Sequence, residues 1–186
     1  MGRPATAKKD RLIDAAMLRY HHHGVAGSSL ATVARAADVA AGNVYYYFQS
    51  KDLLTEAVID RWCDRVVASL ALHDTLPMPL DRVRAFVTTA DNRRQAYTDH
   101  GCPLAALGVD LRSAPGTVGA QSGRPLALIR AWLADQFAQL DRASASARAD
   151  FCLASLQGSF ALAHATNDPA IVAHSTRQLL DWIDTL

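Results

Sequence analysis

The spacing of apolar residues is the feature that most limits how this chain can fold. From Leu12 to the C-terminus they recur every three or four residues, and no window shows the sustained alternation of a β-strand. Half of the 186 residues are apolar, which is enough to bury a core without disulfides or metals. We therefore expect an all-α protein of about nine helices.

Serine, glycine and proline mark where these helices begin and end. Gly24 is a natural stop after the first helix, and Ser28 or Ser29 can cap a short second one. The remaining helices are expected at about 43–48, 51–72, 80–98, 103–113, 124–141 and 146–166, and from Asp168 and Pro169 to the end. Residues 114–125 hold two prolines and three glycines, which predicts a mobile loop.

Charge is distributed unevenly along the chain. The 19 basic and 18 acidic side chains leave a net charge of +1, which excludes a scaffold that coats nucleic acid over its whole surface. The first 50 residues nevertheless carry six basic and three acidic groups, a balance of +3, and the rest carries −2. Positive charge therefore gathers in a short N-terminal block.

The cellular location is inferred from segments that the sequence lacks. The basic N-terminus is not followed by the apolar stretch of a signal peptide, and no run approaches 18 apolar residues. Three cysteines, Cys63, Cys102 and Cys152, are too few and too widely spaced for a disulfide framework. We expect a cytoplasmic protein with no membrane partner.

The second and third helices are joined by a tight turn, as in a helix-turn-helix, whose second member lies in the DNA major groove. They lie in the basic block and are followed by Tyr45, Tyr46, Tyr47 and Lys51. Phenolic hydroxyls and an ammonium at a helix start are suitable groups for binding phosphate oxygens. This pattern predicts contact with double-stranded DNA.

Together, these segments resemble the TetR-type bacterial transcriptional regulators. The matching residues run from about Lys9 to Leu54 and include RLIDAA from Arg11, Gly24-Val25, and ADVAAGNVYYYFQSKDLL from Ala37. The resemblance implies an all-helical homodimer with an N-terminal three-helix unit that binds a palindromic operator. It also implies a larger C-terminal domain that dimerises and holds a small-molecule inducer. From the resemblance we expect a DNA-binding domain at 1–50 and a ligand-binding and dimerisation domain at 51–186, with helix 51–72 connecting them. Repression is implied by the family, although the residues alone leave activation open.

The resemblance assigns roles to residues of the DNA-binding unit. Phosphate contacts are assigned to Tyr45, Tyr46, Tyr47 and Lys51, and to Ser28 or Ser29. Base-edge contacts are assigned to Ala41, Gly42 and Asn43, because asparagine can pair with adenine and alanine can meet a thymine methyl. Arg3, Lys8 and Lys9 are expected to form a short arm attracted to the backbone or the minor groove.

Three residues depart from the family pattern. Asp38 stands where the family usually has glycine in the turn, Ala40 where it has serine or threonine, and Tyr47 where it has histidine. Aspartate tolerates the left-handed backbone region, so we expect the turn to survive. Alanine cannot cap, which should cost the third helix about 1 kcal/mol.

The C-terminal part contains candidates for a ligand pocket and for a reactive thiol. Aromatic, sulfur and aliphatic residues that can line an apolar pocket are Trp62, Phe86, Tyr97, Cys102, Leu107, Trp132 and Phe137, with Asn92, Arg93 or His100 as polar anchors. Each of these side chains can equally be ordinary core. Cys102 precedes Pro103 at a predicted helix start, where the positive helix end favours a thiolate. It is a candidate sensor of electrophiles or oxidants, or else a small residue at a helix start.

The last two helices are the candidates for the dimer interface. They carry small and apolar residues that permit close helix packing, namely Ser155, Gly158, Ser159, Leu162, Leu179, Trp182 and Ile183. An isologous two-fold contact would place two recognition helices on successive major grooves, about 34–36 Å apart.

Two other classes of function are alternatives to a DNA-binding regulator. One alternative is a helical dimeric protein-binding module whose helix-turn-helix no longer binds DNA. The other is an enzyme, but the sequence has no Gly-rich phosphate loop, no Gly-x-Ser-x-Gly elbow and no paired CxxC. His21, His22 and His23 point about 100° apart on a helix and cannot converge on one ion. We therefore expect neither a metal nor a cofactor.

Overall fold

A computed structural model describes the backbone of residues 3–186 and the side chains from Thr6 onward. Within that range the chain forms eleven α-helices and no β-strand, which confirms the all-α class. In chain order they are α1 (Arg3–His23), α2 (Leu30–Ala36), α3 (Ala41–Tyr47), α4 (Lys51–His73), α5 (Pro79–Asn92), α6 (Arg94–His100), α7 (Pro103–Leu111), α8 (Gly116–Gln121), α9 (Arg124–Ala138), α10 (Ala145–Thr166) and α11 (Ala170–Ile183). None of these helices is long and apolar enough to cross a membrane.

The chain forms two compact units. The first unit contains the residues up to Asp64 together with Leu104–Pro125, and thus α1, α2, α3, the first part of α4, most of α7 and all of α8. The second unit contains Arg65–Pro103 and Leu126–Leu186. The segment that holds α7 and α8 thus packs with the N-terminal residues, although the chain on both sides of it belongs to the second unit.

The core of the first unit is built from the predicted apolar faces. One side of α1 is buried from Leu12 to Tyr20, and α2 buries Leu30, Val33 and Ala34. The buried residues of α1 are Leu12, Ile13, Ala16, Met17 and Tyr20. α1 packs on α2 and α2 on α3. These contacts fix the two short helices in the unit, since helices of seven residues are not stable by themselves.

The second unit is a bundle in which α11 packs on α10 and α5, and α10 packs on α6. The ring of Tyr97 on α6 lies nearly parallel to that of Phe160 on α10, with centroids 3.8 Å apart. Fully buried side chains fill the interior, including Val83, Leu133, Phe137, Leu156, Leu179 and Ile183.

Three boundaries differ from the sequence-based expectations. The helix expected over 80–98 is divided at Arg93, whose φ of −104° and ψ of 10° interrupt it. The expected loop 114–125 contains α8, which is anchored by the buried Val118. The last helix begins at Ala170, with Pro169 at the N-cap and Asp168 Oδ1 accepting from the Ala170 N–H at 2.9 Å. The first two differences account for eleven helices in place of about nine.

Part of the predicted dimer interface on α10 and α11 is wrong, because three of its residues are buried. Ser159, Leu179 and Ile183 are buried inside their own chain and cannot lie on a contact surface. Helical periodicity shows which face is apolar, but not whether the same chain already covers it. Leu162 is 57% exposed, Gly158 is exposed, and Ser155 and Trp182 are half-buried.

Candidate nucleic-acid interface

The start of α2 is fixed by a reciprocal cap. The Ser29 hydroxyl accepts from the Thr32 N–H at 3.2 Å, and the Ser29 N–H donates to Thr32 Oγ1 at 2.9 Å. This capping box satisfies two amides at the helix N-terminus. Ser29 itself is exposed, so its hydroxyl is available to solvent.

Ser28, the other predicted cap and phosphate ligand, is buried. It is 1% exposed, and its hydroxyl donates to the carbonyl oxygen of Gly24 at 3.0 Å. A hydroxyl enclosed in this way cannot reach a phosphate. We therefore correct the predicted contact set by removing Ser28 and keeping Ser29.

The turn between α2 and α3 accommodates its unusual aspartate. Asp38 has a φ of +52°, in the left-handed region, which confirms that this residue can replace the glycine of the family pattern. The next amide, Val39 N–H, donates to the carbonyl of Ala34 at 2.9 Å and closes the turn. Arg11 of α1 also donates to the Asp38 carbonyl, at 3.5 Å. The turn therefore keeps its tight form.

One side of α3 is buried and the other faces solvent. Val44 and, directly after the helix, Phe48 are 1% and 3% exposed. The outer side presents the polar and aromatic residues expected to reach DNA, with Tyr45 61% and Tyr46 80% exposed. Ala41, Gly42 and Asn43 are also exposed. The predicted base-edge and phosphate candidates thus share one accessible surface, which we call the α3 outer face.

Tyr47 and Lys51 lie beside that face. The Tyr47 ring is half-buried and meets the Tyr46 ring edge to face, with centroids 5.0 Å apart. Lys51 is the first residue of α4, and the Ser50 hydroxyl accepts from the Leu53 N–H at 3.2 Å. A capped helix start with an ammonium beside it favours anions.

The predicted N-terminal arm is helical in the structure. α1 begins at Arg3, so Lys8 and Lys9 lie on a helix rather than on an extended arm. The Lys9 ammonium lies 5.7 Å from the centre of the Phe48 ring, and Lys8 is half-buried. The side chain of Arg3 lies outside the described residues.

Polar contacts that local sequence patterns do not predict join α1 to α4. Arg61 donates to Asp10 at 2.5 Å and to Asp14 at 3.2 Å. The buried Tyr20 hydroxyl shares a 3.1 Å hydrogen bond with Thr55, and burial raises the pKa of Tyr20. These pairs are 35 to 51 residues apart in sequence, so no local pattern indicates them.

The predicted ligand-pocket residues are distributed over several places. Trp62 and Leu107 belong to the first unit, and the others to the second. The Phe86 and Trp132 rings are in contact, with centroids 5.8 Å apart, whereas Phe137 packs on Trp182. Tyr97 stacks on Phe160, as described above. A polar surface groove of about 350 Å³ is lined by Asp91, Asn92, Arg94 and Gln95, and among the predicted anchors it contains Asn92.

The three cysteines occupy different environments. Cys63 and Cys152 are 6% and 0% exposed, and burial raises the pKa of both thiols, that of Cys152 to about 12. Cys102 is half-buried and directly precedes α7, as the sequence analysis predicted. The two buried thiols are poor nucleophiles, because the thiolate is the reactive form.

Comparison with known proteins identifies the segment that carries this surface. Residues 12–58 match the family model described as bacterial regulatory proteins, tetR family. An uncharacterized HTH-type transcriptional regulator in the dhlA 5' region of Xanthobacter autotrophicus is 36% identical over 81 residues, 44% of this chain and 40% of the relative. The HTH-type transcriptional repressor ComR of Escherichia coli K12 is 37% identical over 67 residues, 36% of this chain and 32% of ComR. The matches thus span less than half the length of these relatives.

Solved structures extend the similarity of the fold to the whole chain. A TetR transcriptional regulator from Legionella pneumophila has a TM-score of 0.83 at 21% identity and covers 100% of this chain and 98% of its own. A TetR transcriptional regulator from Chloroflexus aurantiacus has a TM-score of 0.85 at 17% identity, covering 98% and 96%. At such identities the likeness establishes the fold alone.

The uncapped start of α3 gives a prediction about stability. Ala40 is the N-cap residue, with φ −56° and ψ 133°, and has no side-chain acceptor for the first amides of the helix. The substitution Ala40→Ser should raise the free energy of unfolding by about 1 kcal/mol, measured by urea denaturation at fixed protein concentration. Ala36→Ser, at the other end of the turn, is the control and should give no increase. Equal midpoints for the two variants would contradict the role of the missing cap.

Proposed function

We propose that this chain is a TetR-type bacterial transcriptional regulator that binds a palindromic operator as a homodimer and releases it when a small molecule binds. The single observation that carries the proposal is the α3 outer face. It exposes Asn43, Tyr45 and Tyr46 on a helix whose opposite side is buried. The family model covers all of α3, and the first 50 residues, which include α3, carry a charge balance of +3.

The exposed side chains can make two kinds of contact with DNA, to base edges and to phosphates. Asn43 is the one side chain in the first turn of α3 that can form paired hydrogen bonds with a base edge, since Ala41 and Gly42 have no polar atoms. Ser29, Tyr45, Tyr46, Tyr47 and Lys51 supply hydroxyls and an ammonium for phosphates. Asn43 should therefore carry sequence preference, and the others should carry affinity.

We extend the proposal to whether the protein represses or activates transcription, and to where in the cell it acts. We assign repression, since a relative that matches the DNA-binding segment is named a repressor. The relatives and fold neighbours described above are transcriptional regulators by name, and we assign no catalytic activity. The protein acts in the cytoplasm, where its operator lies.

Two substitutions separate base recognition from phosphate binding. A duplex is first selected from a random-sequence library with the wild-type protein. Asn43→Ala should lose about 1–3 kcal/mol of discrimination at one base pair of each half-site, while Lys51→Ala should weaken all duplexes about equally. Titration of fluorescent duplexes measures both effects.

The control for Lys51 is Arg142→Ala, which removes a positive charge from an exposed site in the second unit. It should leave binding unchanged. A wild-type protein that enriches no duplex at low salt would refute the proposed function and favour a protein-binding module. An Asn43→Ala variant with unchanged base preference would refute the role of Asn43.

The surface proposed for dimerisation is a stripe on α10. Phe151, Ala154, Gly158, Leu162 and Ala165 are exposed and recur at helical spacing along one side of the helix. A Cβ added at Gly158 would meet nothing within 4 Å in the same chain. A glycine in an exposed apolar stripe permits close approach of a second helix, and two copies of this stripe can form an isologous contact.

The dimer is tested by placing charge in the stripe. Leu162→Glu should convert the protein from two chains to one in sedimentation equilibrium, because burying unpaired carboxylates at a two-fold contact is costly. Leu72→Glu, which alters a 71% exposed leucine on α4, is the matched control and should stay dimeric. A Leu162→Glu variant with the wild-type mass would show that α10 does not form the interface.

We also propose that Cys102 responds to electrophiles. It is the more accessible of the three thiols, since Cys63 and Cys152 are buried. When its thiolate adds to an activated C=C bond, one C–S bond forms and the π bond breaks, and its electron pair takes a proton from water at the neighbouring carbon. The added group at the start of α7 then disfavours the DNA-bound conformation.

The thiol hypothesis is tested with N-ethylmaleimide as the electrophile. Treatment should release the selected duplex from the wild-type protein and leave Cys102→Ser bound, as followed by fluorescence anisotropy. Cys63 and Cys152 remain in that variant and serve as internal controls. Equal release from Cys102→Ser would refute the sensor role.

A further inference from the structure

The backbone that follows α1 is held by a side chain from α7. α1 ends at His23, Gly24 has a φ of +69°, and the next N–H, that of Val25, donates to Asp110 Oδ2 at 3.0 Å. Val25 is 8% exposed whereas Asp110 is exposed, so the hydrogen bond between them is partly buried. A buried backbone donor without a partner is costly, and the Asp110 carboxylate supplies that partner from a residue 85 positions away.

The fit around this carboxylate depends on Gly24. A Cβ built at Gly24 would lie 3.1 Å from Asp110 Oδ2, which is closer than ordinary van der Waals contact. Gly24 thus serves both the left-handed backbone that ends α1 and the close approach of α7. Both residues belong to the first unit.

Two hydrogen bonds of Ser28 connect Gly24 and Val25 to the start of α2. The Ser28 hydroxyl donates to the Gly24 carbonyl at 3.0 Å, and the Ser28 N–H donates to the Val25 carbonyl at 3.1 Å. The next residue, Ser29, caps α2 and is a proposed phosphate contact. α2 in turn packs on α3. The loop from Gly24 to Ser28 therefore sets where the helix-turn-helix begins.

Asp110 lies in a segment of the first unit that is joined at both ends, along the chain, to the second unit. It lies in the segment Leu104–Pro125, which packs within the first unit. Both ends of that segment continue into the second unit, and α7 itself begins at Pro103, the last residue before the boundary. Asp110 lies on α7, so the path of α7 determines where its carboxylate lies.

We propose that Asp110 is a positioning residue for DNA binding, which holds the loop Gly24–Ser28 and through it the start of α2. The inference rests on the proposed function, since it assigns Asp110 a part in operator binding. Without the carboxylate the loop adopts more than one conformation. Binding to a specific duplex then suffers more than binding to random DNA, because base contacts require one register and phosphate contacts do not.

The test compares the selected duplex with a random duplex of the same length. Asp110→Ala should lower the affinity for the selected duplex about tenfold, which is the effect of losing one hydrogen bond to a charged group. It should lower the affinity for the random duplex less than about twofold. The specificity ratio therefore falls about fivefold or more. Asp110→Asn keeps an acceptor oxygen at the same place and should recover most of the ratio.

Amide hydrogen exchange gives a second readout at the bond itself. The Val25 N–H should exchange faster in Asp110→Ala and return towards the wild-type rate in Asp110→Asn. Asp135→Ala removes the same charge from an exposed site on α9 and should change neither the exchange rate nor the specificity ratio.

Three results would overturn the inference. These are a wild-type specificity ratio in Asp110→Ala, an equal loss of affinity for both duplexes, and an unchanged exchange rate at Val25. An equal loss for both duplexes would mean that the carboxylate only stabilises the fold. Failure of the proposed function is distinguished beforehand, because the wild-type protein then selects no duplex.

Discussion

The burial of one side of α3 is the constraint on which the proposed DNA contacts depend. A helix of seven residues does not persist alone in water, so its position is set by what it buries. Val44 and Phe48, four residues apart, pack into the core of the first unit. With that side buried, Asn43, Tyr45 and Tyr46 must face outward. The same packing makes the surface rigid enough to present them in one register.

Electrostatics add attraction to that surface without making the whole protein basic. The first 50 residues carry a balance of +3, whereas the remaining residues carry −2. In the proposed dimer the positive segment is present twice, and both copies face the same DNA duplex. The overall near-neutrality limits indiscriminate binding to DNA, which depends on the number of phosphates that a protein neutralises. In the proposed function, affinity for DNA is concentrated on the same surface as Asn43, the residue proposed to read a base.

Local chemistry allowed much of the first unit to be predicted from sequence. The apolar periodicity predicted the buried face of α1, Gly24 marked its end, and aspartate in the turn was expected to adopt the left-handed conformation that Asp38 has. Each of these depends on residues within a few positions of one another. The roles assigned to the α3 outer face are of another kind, since they concern a partner and stay predictions.

Contacts between distant segments could not be predicted from local patterns. Arg61 with Asp10 and Asp14, and Asp110 with the Val25 amide, join positions 47 to 85 residues apart. The assignment of Leu179 and Ile183 to a dimer interface was wrong for a related reason. An apolar stripe is the same in sequence whether its own chain or a second chain covers it. For Ser28 and Ser29, adjacent and chemically equal, only the fold decided which hydroxyl is buried.

The most direct test of the central claim is the salt dependence of DNA binding by the wild-type protein. The affinity for a selected duplex is measured between low and moderate salt and plotted as log K against log salt concentration. The three lysines of the chain are Lys8, Lys9 and Lys51. If each neutralises one phosphate, a dimer neutralises six, and we expect log K to fall linearly with a slope of about −5. A slope near zero, or no binding at any salt concentration, would contradict the account.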